Sequence, residues 1–285
     1  MKFLHFAQDG QAGLAIADGL GFKGLLASHA DFPGTLQTLV AEGPEALARA
    51  AQVLRGGDAI DLQKVSYLPP FENPGKIFCI GLNYVDHSVE SGFEVPSYPA
   101  IFSRFNSSLM GHGAPIVRPH VSTQLDYEGE LVAVIGKPGR YIAKEDALDH
   151  VIGYSIFNDA SIRDYQRKSA QWTIGKNFDD TGAFGPVFVT ADALPRGAEG
   201  LQLQTRLNGV VVQNASTSSL IFDVATLVSL LSEAVRLQPG DVIVTGTPSG
   251  VGLARKPPLF MQHGDVCEVE IEGIGILKNP VVDES

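Results

Sequence analysis

The chain has 285 residues, of which 44% are hydrophobic and 19% charged, and its formal net charge is −11. This composition is ordinary for a folded protein with a substantial core, built as one large domain or a large domain with a small partner. The negative charge and the lack of any Lys/Arg run argue against nucleic acid or an anionic membrane as a partner. No apolar run approaches membrane-spanning length, and the N-terminus lacks a signal-peptide core, so we expect a cytoplasmic protein.

The first 70 residues differ from the rest of the chain in their pattern of predicted elements and motifs. They contain strand-like runs near residues 2–7 and 24–27 and a helical pattern over 44–54, but no cluster of chemically active side chains. The prolines of segment 67–75 favour extended backbone and indicate a boundary. We therefore predict a small N-terminal α+β region over residues 1–70 and a main domain over 71–285.

From residue 76 onward, short apolar runs bounded by Gly, Pro or Asn predict many strands. Asn208-Gly209 predicts a tight hairpin, and Gly273 marks a second one. Helices are fewer, and Asp223 is predicted to cap one of them. Since no regular alternation of strands and helices is visible, the pattern predicts an α+β fold on a mostly β core.

An acidic stretch, Asp126-Tyr127-Glu128-Gly129-Glu130, runs directly into the apolar segment 131–135. If one strand began at Asp126, alternation would place Asp126, Glu128 and Glu130 on the same face, where like charges repel and desolvation is costly. A hard divalent cation such as Mg²⁺, Mn²⁺ or Ca²⁺ would relieve both, with Asp159 as a third oxygen ligand at the end of another apolar run. The alternative is a solvated acidic face, with Asp159 as a helix cap.

His87 and Glu90 lie three residues apart, so in a helix they would share a face and the carboxylate could orient the imidazole as a base. The alternative is a solvated loop histidine beside a chance glutamate. Lys176 follows an apolar patch and could bind a carboxylate or enolate oxygen, although surface lysines are common in such positions.

Two further segments offer polar groups to the same cavity. A short helix predicted over 161–168 carries Arg163 and Gln166, whose alternative is an ordinary amphipathic helix face. The glycine-rich segment 246–252 offers the hydroxyl of Thr247 beside backbone that can approach a ligand closely, or it is a simple turn.

The order and identity of these motifs resemble the fumarylacetoacetate hydrolase family, specifically its bacterial branch with a short N-terminal region. The resemblance covers residues 76–282 almost continuously. It rests on the following motifs of this chain: Gly81-Leu82-Asn83-Tyr84 with His87 and Glu90, Asp126-Tyr127-Glu128-Gly129-Glu130, Asn158-Asp159, Arg163-Asp164-Tyr165-Gln166, Gln171-Trp172, Gly175-Lys176-Asn177-Phe178, Gly185-Pro186, and Gly240-Asp241 through Pro248.

The resemblance implies a mixed β-sandwich roll with few helices, a catalytic domain over 71–285, a homodimer, and Mg²⁺ or Mn²⁺ in the active site. It makes Glu128, Glu130 and Asp159 the metal ligands. It makes His87 and Glu90 a water-activating pair on a lid segment. The implied contacts to substrate oxygens are Lys176, Gln166, Thr247, Arg163 and Tyr84.

Members of this family cleave C–C bonds in diketo acids, decarboxylate oxaloacetate, or isomerise and decarboxylate related dienoates. From this resemblance we expect a metal-dependent hydrolase that splits a small anionic acylpyruvate or fumarylpyruvate-like substrate into pyruvate and a carboxylic acid. The alternatives are an oxaloacetate decarboxylase, a 2-hydroxydienoate isomerase or decarboxylase, and a metal-stabilised binding protein without activity. The family often has Lys where this chain has Arg104, so specificity cannot be copied from a relative.

Overall fold

The computed structural model describes residues 1–90, 92 and 94–285. The described strands are β1 (Lys2–Gln8), β2 (Gln11–Asp18), β3 (Gly21–Leu26), β4 (Asp58–Ala59), β5 (Ser66–Tyr67), β6 (Ile77–Gly81), β7 (Ala100–Ser103), β8 (Leu109–Met110), β9 (Ile116–Arg118), β10 (Leu125–Asp126), β11 (Gly129–Ile135), β12 (Val151–Asp159), β13 (Ser161–Ile162), β14 (Gly182–Thr190), β15 (Gln202–Leu207), β16 (Val210–Ser216), β17 (Val242–Val244), β18 (Val266–Ile271) and β19 (Gly275–Asp283). The α-helices are α1 (Leu36–Glu42), α2 (Pro44–Arg55), α3 (Val85–Glu90), α4 (Arg163–Gln166) and α5 (Val224–Ala234). The expected α+β fold, a mixed β-sandwich roll with few helices, is confirmed.

A large mixed sheet forms the centre of the molecule. Its strands follow the order β4-β3-β2-β1-β14-β12-β11-β17-β6-β7, with β5 paired to β1 and β8 to β14. A second sheet of five strands has the order β16-β15-β18-β19-β9 and packs on one face of the first. Strands β10 and β13 form a separate pair.

The central strand β11 is buried on both faces, and its side chains alternate between two apolar clusters. Leu131, Ala133 and Ile135 pack toward the five-stranded sheet, in one cluster. Val132 and Val134 pack in the other, together with residues of α1 and α2. Because both faces are apolar, β11 reads in the sequence as a continuous hydrophobic run.

The first 70 residues join the same large sheet. Strand β1 pairs antiparallel with β14, with Phe3 opposite Phe188 in register. The hairpin partners β2 and β3 extend the sheet outward, and α2 contacts both of them. The N-terminal region therefore shares a core with the rest of the chain and contains the α and β elements expected from its sequence.

Several local predictions are confirmed. Asn208 and Gly209 both adopt positive φ in the turn between β15 and β16, as expected for a tight hairpin. The Asp223 side chain accepts a hydrogen bond from the Thr226 amide and caps α5. The helix expected over 161–168 is shorter, because its first residues pair with β10 instead.

None of the described helices is long and apolar enough to cross a membrane.

Replacing Phe3 by Ala should lower the free energy of unfolding by about 3–5 kcal/mol, because it removes a fully buried ring at the junction of the N-terminal region with β14. Chemical denaturation measures this. Leu20→Ala, at a fully exposed turn of the same region, is the control and should change stability little. A Phe3→Ala loss no larger than that of Leu20→Ala would mean that residues 1–70 contribute little to the common core.

Candidate active site

Three carboxylates converge where β11 begins and β12 ends. The two strands are antiparallel neighbours, with Gly129 opposite Asn158, so the start of one lies beside the end of the other. The Asp159 amide donates to the Glu128 carbonyl at 2.8 Å and fixes this junction. Ligand oxygens of Glu128, Glu130 and Asp159 all lie within 4.8 Å of one another, and all three residues are buried.

Three buried cations neutralise part of this acidic group. Lys176 Nζ donates to Glu128 Oε2 at 2.7 Å and to Asp159 Oδ2 at 2.6 Å. Arg163 Nη1 lies 2.6 Å from Glu128 Oε1, and Arg104 Nη1 pairs with Asp159 Oδ1. Glu128 and Asp159 thus each have a cation on both oxygens.

Glu130 differs from the other two acids. Among the described residues it forms no ion pair, and its Oε2 accepts a hydrogen bond from the Gly246 amide. Gly246 has φ +105°, and a Cβ there would lie 2.7 Å from the Asn83 Cβ, so only glycine brings this amide to the carboxylate. The triad therefore keeps one buried carboxylate without a cationic partner.

The pKa values follow this difference in partners. Burial alone would raise the pKa of Glu128, but the charges of Lys176 and Arg163 outweigh it and lower the value to about 2. Burial, with repulsion from Asp159 and Glu128, raises the pKa of Glu130 well above its usual range. Burial opposes the charge on Lys176, yet Asp159 and Glu128 raise its pKa.

A hard divalent cation fits this donor set. Three clustered carboxylates offer oxygen ligands of the kind that Mg²⁺ and Mn²⁺ prefer, and among the described residues Glu130 forms no ion pair that a bound cation would have to displace. Glu128, Glu130 and Asp159, the ligands expected from the sequence, could thus hold such an ion together.

Asp126 departs from the expected strand face. It belongs to β10, and the break at Tyr127 and Glu128 separates it from β11. It is buried rather than solvated, and the donors to its carboxylate are Arg163 Nε and the amides of Tyr127, Gly252 and Leu253. The expectation of one continuous strand through Asp126, Glu128 and Glu130 is wrong, because the chain changes sheets after Asp126. Asp126 shares the Arg163 guanidinium with Glu128 but is not part of the carboxylate triad.

His87 and Glu90 lie on α3 and face the cavity, as their spacing predicts. His87 Nδ1 is 2.9 Å from Glu90 Oε1. Both carboxylate oxygens of Glu90 accept from the Gly250 amide, at 3.0 and 2.9 Å. The histidine is therefore oriented by a carboxylate that is itself anchored to the loop after β17.

A cavity of about 290 Å³ adjoins the triad. Its polar lining includes seven side chains that were all expected at the site from the sequence: His87, Glu90, Glu128, Arg163, Gln166, Lys176 and Thr247. The Thr247 hydroxyl donates to the Gly129 carbonyl at 3.0 Å and accepts from Gln213. Gln166 Oε1 accepts from Arg163 Nη1 at 2.8 Å.

Tyr84 was expected to contact substrate but is not among the residues that line this cavity. Its hydroxyl is buried and has no hydrogen-bond partner among the described residues. Burial and the charge of Glu130 raise its pKa. Its substrate contact stays a prediction.

Three residues at the site were not assigned roles from the sequence. Arg104 follows β7 and donates a hydrogen bond to Asp159. Gln213, on β16, accepts from the Gly129 amide and donates to the Thr247 hydroxyl. Arg167 lines the cavity at the end of α4. Arg104 could have been predicted at the site, because it departs from the family pattern, whereas nothing in the local sequence marks Gln213.

A family model described as "Fumarylacetoacetate (FAA) hydrolase C-terminal" matches residues 76–282. The chain belongs to this family. It is 42% identical over 273 residues to oxaloacetate tautomerase fahd2, mitochondrial, of Xenopus laevis, covering 95% of this chain and 85% of that protein. Oxaloacetate tautomerase YisK of Bacillus subtilis is 42% identical over 263 residues, covering 87% of each.

Solved structures of the fumarylacetoacetate hydrolase family share the fold. A fumarylacetoacetate hydrolase from Exiguobacterium antarcticum is 37% identical with a TM-score of 0.86, covering 100% of both chains. Maleylpyruvate hydrolase from Sphingobium, solved with manganese and pyruvate, is 27% identical with a TM-score of 0.82, also covering 100% of both chains.

Replacing Glu130 by Gln should abolish stabilisation by Mg²⁺ or Mn²⁺. At a cation concentration about 100 times the dissociation constant, the wild-type protein should gain about 2.7 kcal/mol, because a ligand that binds only the folded state stabilises it by mass action. Without cation, the variant should be as stable as the wild type, since the oxygen of the substituted side-chain amide can still accept the hydrogen bond from the Gly246 backbone N–H. Thermal unfolding with and without each cation measures both, and the exposed Asp31→Asn is the control. An undiminished cation response in Glu130→Gln would exclude Glu130 as a ligand.

Replacing Asp126 by Asn should give the opposite result. The substitution removes the Asp126 charge and leaves the buried Arg163 guanidinium without one of its two ion-pair partners. The free energy of unfolding should therefore fall by about 3 kcal/mol or more. The residual folded protein should still respond to Mn²⁺. Denaturant titration and cation-dependent melting measure the two effects, and a variant of normal stability that no longer responds to cation would assign Asp126 to the metal site.

Proposed function

We propose that this chain is a divalent-cation-dependent enzyme that interconverts the enol and keto forms of oxaloacetate. The reaction moves one proton from the C2 hydroxyl of the enol to C3, with no net addition of water. The observation that carries the proposal is the oriented His87–Glu90 pair, which faces the same small cavity as Lys176 and Glu128, the carboxylate of the triad that lines it.

The cavity suits a small anion. At about 290 Å³ it lies at the lower end of ligand-pocket volumes, which favours a four-carbon acid over a long diketo acid. Although the protein has a net charge of −11, the cavity lining includes the cations Arg163, Arg167 and Lys176. These three positive charges outnumber the two carboxylates of the lining, Glu90 and Glu128, and so offset the overall negative field for an anionic substrate.

Mg²⁺ or Mn²⁺ held by Glu128, Glu130 and Asp159 would supply Lewis-acid polarisation of the 2-oxo group and a template for the neighbouring carboxylate. Lys176 adds positive charge beside Glu128 and Asp159, where negative charge develops on the substrate oxygen. Gln166 and Thr247 offer an amide and a hydroxyl for orienting the substrate.

His87 is the proposed proton carrier. Its Nδ1 is engaged with Glu90, so Nε2 is the ring nitrogen left to exchange a proton with substrate. It would accept the proton at one substrate position and return it at the other. Glu90 fixes the ring orientation through this contact.

The expected acylpyruvate hydrolysis has less support than the oxaloacetate alternative. Relatives covering most of this chain are named oxaloacetate tautomerases, at 42% identity, while the maleylpyruvate hydrolase is 27% identical. Tautomerisation also needs no attacking water, only one acid–base group beside the substrate. Decarboxylation of oxaloacetate would start from the same bound acid. Homodimer formation and a cytoplasmic location stay predictions.

A substrate panel with Mg²⁺ or Mn²⁺ tests the proposal. Ultraviolet absorbance follows loss of the oxaloacetate enol, and coupled assays follow pyruvate formed from oxaloacetate or from acylpyruvates. Enol loss should be the fastest of these reactions. Faster cleavage of an acylpyruvate would restore the hydrolase hypothesis, and cation-dependent stabilisation without turnover of any substrate would indicate a binding protein.

Replacing His87 by Asn should lower kcat for oxaloacetate tautomerisation by roughly 10²–10⁴-fold, the usual contribution of one general acid–base group. Stabilisation by Mn²⁺ should persist, because the ligand carboxylates are unchanged. His29→Asn, at an exposed histidine far along the sequence, is the control. Full activity in His87→Asn would eliminate this residue as the proton carrier.

A further inference from the structure

Arg167 differs from the other cations of the cavity because its charged group has no ion-pair partner among the described residues. It follows α4 directly and lines the cavity. Its backbone amide donates to the Arg163 carbonyl at 3.1 Å, but within the described residues its guanidinium forms no hydrogen bond and no ion pair. A planar guanidinium of this kind is suited to bidentate binding of a carboxylate.

The other cationic groups of the cavity are already engaged. Lys176 holds Glu128 and Asp159, and Arg163 holds Asp126 and Glu128. An incoming second carboxylate therefore finds an uncommitted positive charge at Arg167.

Arg163 Nη2 also lacks a partner, but its position differs. Arg163 is 3% exposed and lies against Glu128, at the carboxylate triad, whereas Arg167 is exposed at the cavity mouth. The two arginines are four residues apart at the end of one helical turn, a spacing that places Cβ atoms about 5–6 Å from each other. Arg167 thus presents its charge outside the buried ion-pair group to which Arg163 belongs.

We propose that Arg167 determines specificity by binding the distal carboxylate of a short dicarboxylic acid, the end remote from Glu128, Glu130 and Asp159. The assignment deepens the proposed function, on which it rests for the placement of the near end. It makes this site selective for four-carbon dicarboxylates over monocarboxylates of the same length. This selectivity should appear in the dissociation constants of unreactive acids, so no turnover is needed to measure it.

Lys168 provides a matched control on the adjacent residue. Its ammonium lies 3.2 Å from the centroid of the Tyr165 ring and it is not part of the cavity lining. Lys168→Gln and Arg167→Gln remove the same charge from neighbouring positions. A general electrostatic effect would appear in both variants, whereas direct contact with the ligand would appear only in Arg167→Gln.

The experiment measures calorimetric dissociation constants for malate and 2-hydroxybutanoate in the presence of Mn²⁺. These unreactive acids share the 2-hydroxycarboxylate end and chain length, and differ in a distal carboxylate or methyl group. The wild-type protein should bind malate at least tenfold more tightly, the size of one charge-assisted hydrogen bond. Arg167→Gln should lose roughly tenfold in malate affinity and nothing for 2-hydroxybutanoate, Arg167→Lys should recover part of it, and Lys168→Gln should match the wild type.

The two proposals fail in different ways. A wild-type protein that does not prefer malate, or an Arg167→Gln variant that keeps the preference, overturns the role of Arg167 whatever reaction the enzyme catalyses. Equal losses in Arg167→Gln and Lys168→Gln also overturn it. Preference for malate that depends on Arg167, in a protein that does not accelerate oxaloacetate tautomerisation, supports Arg167 and rejects the proposed reaction.

Discussion

The structure depends on a group of ionisable side chains that is almost completely withdrawn from water at the centre of the β core. It comprises four acids and three bases: Asp126, Glu128, Glu130, Asp159, Arg104, Arg163 and Lys176. Charges so deeply buried are tolerable only when each has a partner of opposite sign or a hydrogen-bond donor. The pairings therefore constrain the ends of β7, β11 and β12, α4 and the loop after β17 at the same time.

The change of sheet at Tyr127 and Glu128 gives this group two different functions. On one side, Asp126 is saturated by Arg163 and backbone amides, so it binds the surrounding loops together. On the other, Glu130 accepts a hydrogen bond from Gly246 and forms no ion pair among the described residues. One short segment thus supplies both a structural acid and an acid that remains available to a metal ion. The distinction arises from backbone path rather than from residue type.

The sequence allowed the main parts of the fold and site to be predicted, and the failures have a common cause. The His87–Glu90 pair depends on three-residue spacing within one helix, and the triad depends on two acids at the start of β11 and one at the end of β12, which are local properties. The partners of Lys176 lie 17 and 48 residues away, and those of Arg104 up to 77 residues away. Such contacts depend on how distant elements pack. The Asp126 prediction failed for the same reason, because a continuous strand was assumed where tertiary pairing interrupts it.

The loop after β17 makes three separate connections through its own backbone. The amides of Gly246, Gly250 and Gly252 reach, respectively, a proposed metal ligand, the carboxylate that orients the histidine, and the structural acid Asp126. Because these donors lie at fixed intervals on one segment, a single inserted or deleted residue would shift their register relative to all three acids. This loop can therefore vary through substitutions that preserve its path, but hardly through changes in length. The side chains of Val251, Leu253 and Ala254, which line the cavity from this loop, can change its shape while the three amides stay in place.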